Sequence, residues 1–230
     1  MGSSRIVGVP GSGAWGYLAR SILAGRVEGV AAPKGPLVLV VESQVDLEDI
    51  RDAFEALTPL AACEPCSAAV FGEDERARLA SLEQLGSGAR LVLTLPEALA
   101  APLPAPREFG ARSFKFSVGS RTGREKALEL LAAAGYQRVD FVESPGEYAA
   151  RGAVVDFFGL EPLKAIRLLF DEDNIASIRV FDPVSQSTLE MLSEAKAVPA
   201  APPETGDAGK LADWIGSDAL WLKPEGLEAA

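Results

Sequence analysis

Histidine is absent from the 230 residues. That removes imidazole general bases, Ser-His-Asp and Cys-His catalysis, and imidazole metal ligands together. Cysteine is nearly absent as well. Its two occurrences stand as Cys63-Glu64-Pro65-Cys66, a spacing that serves redox exchange or half of a zinc site. Zinc needs two further soft ligands that the chain does not contain. A redox pair wants a strand leading into it, and none stands out before Cys63. The pair reads as two thiols in a loop of a reduced cytosolic protein. No uninterrupted apolar run approaches the ~20 residues that cross a bilayer, and Met1 to Pro10 lacks a charged region followed by an apolar one, so neither a membrane span nor a signal peptide is expected. Cations are scarce: 22 lysines and arginines face 33 acidic residues, a formal charge of -11. Direct nucleic-acid binding needs clustered cations and is not expected. The expectation is an acidic, cytoplasmic chain with no cofactor, no metal and little to catalyse with.

What is present is a large apolar share, 48%, on a length that suits one large domain or two small ones. The first hundred residues alternate strand and helix signals. Arg5 to Val9 is a short apolar run before a glycine-rich turn, with an apolar helix predicted from Ala14 to Ala24. Pro36 to Val41 and Arg90 to Leu95 are continuous runs of the kind buried on both faces of a parallel sheet. Between them, helices are predicted over Val45 to Leu57, with Asp46 as N-cap, and over Asp74 to Leu85. Strand alternating with helix predicts an α/β layer. The proline-rich stretch Ala101 to Pro106 marks a change of style. A capping box at Thr122 to Glu125 predicts a helix through Ala134. Short antiparallel strands follow: Gln137 to Val142, Gly146 to Ala150, Ala153 to Phe158, Ala165 to Phe170 and Ile175 to Phe181. A linker-like segment, Ala200 to Gly209, precedes a helix near Lys210 to Ile215 and a run, Ala219 to Leu222, suited to rejoin the first sheet.

Gly8 to Trp15 overlays the phosphate-binding pattern GxxxxGK[ST] at Gly8 and Gly13, with Gly11 between them. It departs from the pattern at both functional positions. Ala14 stands where a lysine neutralises phosphate charge, and Trp15 where a hydroxyl ligates magnesium. The loop reads as a fold relic and not as an ATPase.

Residues 135 to 190 carry the most specific signal. Gly135-Tyr136, Arg138-Val139-Asp140, Pro145-Gly146-Glu147-Tyr148, Arg151-Gly152, Asp156-Phe157-Phe158, Ile166-Arg167, Ser177-Ile178-Arg179, Phe181-Asp182 and Ser185-Gln186 occur in order. This series resembles the UvrB-homology module of the bacterial transcription-repair coupling factors, Mfd, and within it the interaction domain shared with the excision-repair helicase UvrB. The resemblance implies a degenerate P-loop-like α/β domain over residues 1–118, an inserted α+β interaction domain over 119–199, and a linker and return to the first domain over 200–230. It implies a non-catalytic module of nucleotide excision and transcription-coupled repair that binds UvrA, or alternatively one that restrains Mfd-type motor domains or serves another protein partner. The chain reads as an excised fragment or a stand-alone shortened relative.

By the same resemblance the UvrA-binding residues are Arg151 and Arg167, with Phe170 supplying apolar area and Arg138 and Arg179 at the rim. The aromatic four residues after the second arginine is Asp171 here, one past Phe170. In a strand that shift turns a side chain to the other face. The residues themselves leave a second reading open, in which Arg151 or Arg167 pairs within the chain with Glu147, Asp156 or Asp171.

Overall fold

The computed structural model of the chain describes residues 12–56, 68–202 and 208–223. Two compact units emerge. One is formed by Met1–Asp74, Gln84–Ala101 and Leu211–Ala230, the other by Glu75–Glu83 and Pro102–Lys210. In chain order the elements begin α1 (Ser12–Leu23), β1 (Leu37–Val40), α2 (Gln44–Ala56), β2 (Ala68–Phe71), α3 (Glu75–Gly86), β3 (Leu91–Thr94) and α4 (Pro96–Ala100). Then come β4 (Leu103–Pro104), α5 (Pro106–Ala111), β5 (Phe114–Ser117), α6 (Arg124–Ala133), β6 (Gln137–Arg138), β7 (Glu147–Arg151), β8 (Val154–Phe158) and β9 (Ala165–Asp171). The series ends with β10 (Asn174–Phe181), β11 (Thr188–Leu192), β12 (Glu194–Ala197), β13 (Ala208–Gly209) and β14 (Leu220–Leu222).

In the first unit, parallel strands lie in the order β14-β1-β3-β2. The continuous apolar runs become β1 and β3, each buried along its whole length, as strands flanked on both sides require. The tail's apolar run returns as β14, pairing Leu37 with Leu220 through Leu39 with Leu222. Helices α1 and α2 meet at a glycine. A Cβ on Gly16 would lie 2.8 Å from both the Ala53 Cβ and the Phe54 amide nitrogen. One turn on, the buried Arg20 donates from Nε to the Phe54 carbonyl at 2.7 Å and lies 4.4 Å from the Phe54 ring centroid.

In the second unit, six strands run β11-β10-β9-β8-β7-β6, antiparallel except for the parallel pair β6–β7. Helix α6 packs on β8. It ends at Gly135, whose φ of +87° suits glycine, and a Cβ there would meet the Ala201 Cβ at 2.6 Å. Phe157 forms the centre of this core, tilted against Phe116 at 5.8 Å and edge-on to Tyr136 at 6.0 Å. Two further antiparallel pairs, β5–β12 and β4–β13, complete the unit.

The structure corrects several expectations. The cap of α2 is Ser43 and not Asp46: the Ser43 Oγ accepts the Asp46 amide at 3.2 Å and donates to Asp46 Oδ2 at 2.6 Å, so Asp46 sits in the first turn. The capping box at Thr122 does not form. Gly123 is the N-cap of α6 without a side-chain bond, and the Thr122 hydroxyl bonds that of Ser120. Gln137 to Val142 is not a full antiparallel strand. It shrinks to β6, because Glu147 Oε2 accepts the amides of Glu143 and Ser144, each at 2.8 Å, and closes a loop instead. The expected tail helix is a 3₁₀ turn, Leu211–Asp213. Arg5 to Val9, Gly8, Gly11, Cys63 and Cys66 lie outside the described residues. Gly13, Ala14 and Trp15 fall in α1.

Candidate protein-interaction face

The strand register sets one row of side chains across the antiparallel sheet: Ala149 on β7, Asp156 on β8, Arg167 on β9, Arg179 on β10 and Met191 on β11, each directly opposite the next. Side chains alternate, so this row faces away from Phe157, Ile166, Leu168 and Phe170. Asp156, 2% exposed, is the row's hub. Arg167 approaches it bidentately, Nε to Oδ1 at 2.7 Å and Nη2 to Oδ2 at 2.8 Å, and Arg151 Nη2 reaches Oδ2 at 3.4 Å. The fork geometry of arginine on a carboxylate is the strong form of this bond. The Asp156 bond and charge push the Arg167 guanidinium further above its ordinary range against the opposing effect of burial.

Each guanidinium also covers a ring. Arg167 lies 4.3 Å from the Phe181 centroid, and Arg151 lies 4.6 Å from that of Phe141. Arg167 Nη2 further donates to Gln186 Oε1 at 2.7 Å. Gln186 is held in the loop 182–187 by its own amide on the Asp182 carbonyl, at 2.8 Å. Asp182 Oδ1 accepts the Val184 and Ser185 amides at 3.0 and 2.7 Å, and these bonds, Ser185 first, hold its carboxyl below the usual range.

The intramolecular pairing that the residues left open is therefore present, with Asp156 as the partner of both arginines. Glu147 closes its own loop, and Asp171 is exposed at the end of β9. Arg167 is braced, while Arg151, with a side chain 45% exposed, makes among the described residues a single long hydrogen bond, to Asp156, and keeps most of its five donors for other acceptors. Phe170 is a correction. It is 5% exposed on the core row, because β9 alternates strictly, and it presents no area beside the arginines. The exposed aromatic there is Phe141, 57% exposed, within the stretch Gln137 to Val142 whose pattern predicts a strand. Arg179 shares the row of Arg167 and, among the described residues, donates only to Ser177 Oγ at 3.3 Å. Arg138, exposed on β6, is in register with Tyr148, which sits in the neighbouring row. Among the described residues no group of three or more carboxylates or thiols is arranged to hold a metal, and no helix is long and apolar enough to cross a membrane.

This antiparallel sheet with its arginine row belongs to a segment that matches a known family: residues 114–202 fit the UvrB interaction domain. Among curated proteins, the chain is similar to the transcription-repair-coupling factor of Escherichia coli strain K12, at 38% identity over 124 residues. That stretch is 54% of this chain and 11% of that protein. The Myxococcus xanthus transcription-repair-coupling factor is 40% identical over 129 residues, 54% of this chain and 10% of that protein. The UvrABC system protein B of Thermus thermophilus is 29% identical over 161 residues, 70% of this chain and 22% of that protein. The chain thus spans about a tenth of the length of the coupling factors it matches and about a fifth of that UvrABC system protein B.

Proposed function

We propose that this chain is a non-catalytic protein-interaction module of nucleotide excision repair and transcription-coupled repair, and that it docks UvrA through the arginine face of its antiparallel sheet. The observation that carries the reading is the position of Arg151. It is half-exposed, stacked on the exposed Phe141, and linked only loosely to Asp156, within the segment that fits the UvrB interaction domain. A carboxylate of the partner meets unused guanidinium donors there without displacing a strong internal bond. Such charge-assisted contacts are typical anchors of interfaces. Arg167 supports the site by fixing Asp156, and Phe141 replaces Phe170 as the apolar neighbour.

The test is retention of purified UvrA by the immobilised chain, compared between the wild type and the Arg151→Ala/Arg167→Ala double variant. The double variant is expected to lose between several-fold and hundreds-fold in affinity, ~1–3 kcal/mol in all for the charge-assisted contact that Arg151 supplies and Arg167 helps to position. Equal retention refutes the assignment.

A further inference from the structure

Two described residues other than glycine hold a positive φ, Glu172 at +51° and Gln186 at +60°. Away from glycine that conformation persists only where the surroundings fix it, and such residues cluster at functional sites. Glu172 lies in the turn from β9 to β10, and its side chain makes no hydrogen bond among the described residues. Gln186 differs, because its carboxamide is used at both ends. Oε1 accepts from Arg167 Nη2 at 2.7 Å, and Nε2 donates to the Pro183 carbonyl at 2.7 Å. The loop backbone closes around it: the Gln186 amide donates to the Asp182 carbonyl at 2.8 Å, and the Asp182 amide to the Ser187 carbonyl at 2.9 Å.

The consequence lies at Arg167. Asp156 takes the Nε donor and one donor of Nη2, and Gln186 takes the other donor of Nη2. The Arg167 Cζ lies 4.3 Å from the Phe181 ring centroid, so one face of the guanidinium is covered as well. Nη1 has no hydrogen-bond partner among the described residues, and it is not one of the buried atoms left without a partner. Its two donors are therefore open to solvent. Asp156 alone leaves the group free to tilt about that carboxylate. With Gln186 on the second edge and Phe181 beneath, the guanidinium is held before any partner arrives, and little rotamer freedom remains to be lost on binding.

We propose that Gln186 is a positioning residue of the docking face: its carboxamide oxygen locks the Arg167 guanidinium so that Nη1 is presented to a carboxylate of the partner. Arg151 reaches the same Asp156, so its unused donors and the Nη1 edge of Arg167 belong to one site for acidic groups. The inference deepens the docking reading above and rests on it for the partner's identity. It adds a second point of contact, and a residue that acts through Arg167 without itself meeting the partner.

The test is calorimetric titration of UvrA with the full chain as wild type, Gln186→Gly and Gln186→Asn, each also combined with Arg167→Ala. Glycine accepts the positive φ and carries no carboxamide; asparagine tolerates it with a carboxamide one methylene short of Arg167. Each single variant is expected to bind about fivefold more weakly or worse, at an unchanged unfolding midpoint. In the Arg167→Ala background each is expected to add less than about twofold. Wild-type affinity for both single variants overturns the proposal, and so does an equal loss in the Arg167→Ala background. A second readout needs no partner. In magnetic resonance spectra of the wild-type chain the Arg167 Nη1 and Nη2 protons are expected to be resolved, and in Gln186→Gly to be averaged by rotation of the group; averaged signals in the wild type overturn the proposal. If the wild type fails to bind UvrA while Gln186→Gly still averages these signals, the UvrA assignment falls and the hold of Gln186 on Arg167 stands.

Discussion

At the scale of single residues, Asp156 decides the character of the face. It is a buried carboxylate whose charge is compensated by two arginines from neighbouring strands. Removing one member of such a buried group leaves the others uncompensated. Asp156→Asn is expected to lower the unfolding free energy by about 2–3 kcal/mol, below the full cost of breaking a buried pair because both guanidinia reach solvent; urea titration measures it, and an unchanged midpoint contradicts the role given to Asp156. Asp182 makes a separate prediction. Its carboxyl is held low by bonds from Ser185 and Val184, so the contribution it makes is present above the ordinary aspartate range, about 4. It is lost as pH falls through the lower folded value. Amide protection of Val184 and Ser185 is expected to hold at neutral pH and to collapse below that range, while Asp182→Ala loses it already at neutral pH. Much of this scale was not legible in the sequence. Arg151 and Arg167 stood out, but three carboxylates were equally good partners until the register placed Asp156 opposite Arg167. The burial of Phe170 follows from the same alternation, one residue off the arginine face.

At the scale of elements, the legible parts were those whose own side chains suffice to specify them. The apolar runs of β1 and β3 and the periodic faces of α1 and α2 are local signals. The strands β2, β4, β5, β11, β12 and β13 have no counterpart in the sequence pattern. Glu194–Ala197 is a run of helix formers that extends only because it pairs with β5 from far along the chain, and tertiary pairing overrides such weak propensity. The cap of α2 shifted by three residues because Ser43 offers a hydroxyl to the same turn in which Asp46 was expected to begin. Ser43→Ala is expected to cost about 1 kcal/mol, typical of a lost N-cap, read as a lower midpoint in chemical unfolding. Gly16→Ala tests the close approach of α1 and α2. The added Cβ meets the Phe54 backbone, so the helices must part, at about 1–3 kcal/mol; a neutral or stabilised variant contradicts the packing described.

At the scale of the whole molecule, an acidic chain without histidine sets three arginines, Arg151, Arg167 and Arg179, on one face of its antiparallel sheet. Against a formal charge of -11, the row containing Arg167 and Arg179, with Arg151 beside it, is the surface through which the proposed docking would run. The order of short motifs over residues 135 to 190 was sufficient to anticipate the UvrB interaction domain that residues 114–202 match, because many weakly specific matches in sequence order are jointly specific. Which arginine Asp156 holds and which it barely touches was not available at that level, since it depends on the strand register. The most direct test is therefore a calorimetric titration of UvrA with the wild-type chain and with Arg151→Ala alone. The account predicts at least a tenfold loss of affinity, about 1.4 kcal/mol, with the thermal midpoint of the variant unchanged; equal affinity for a variant that is equally well folded would contradict it.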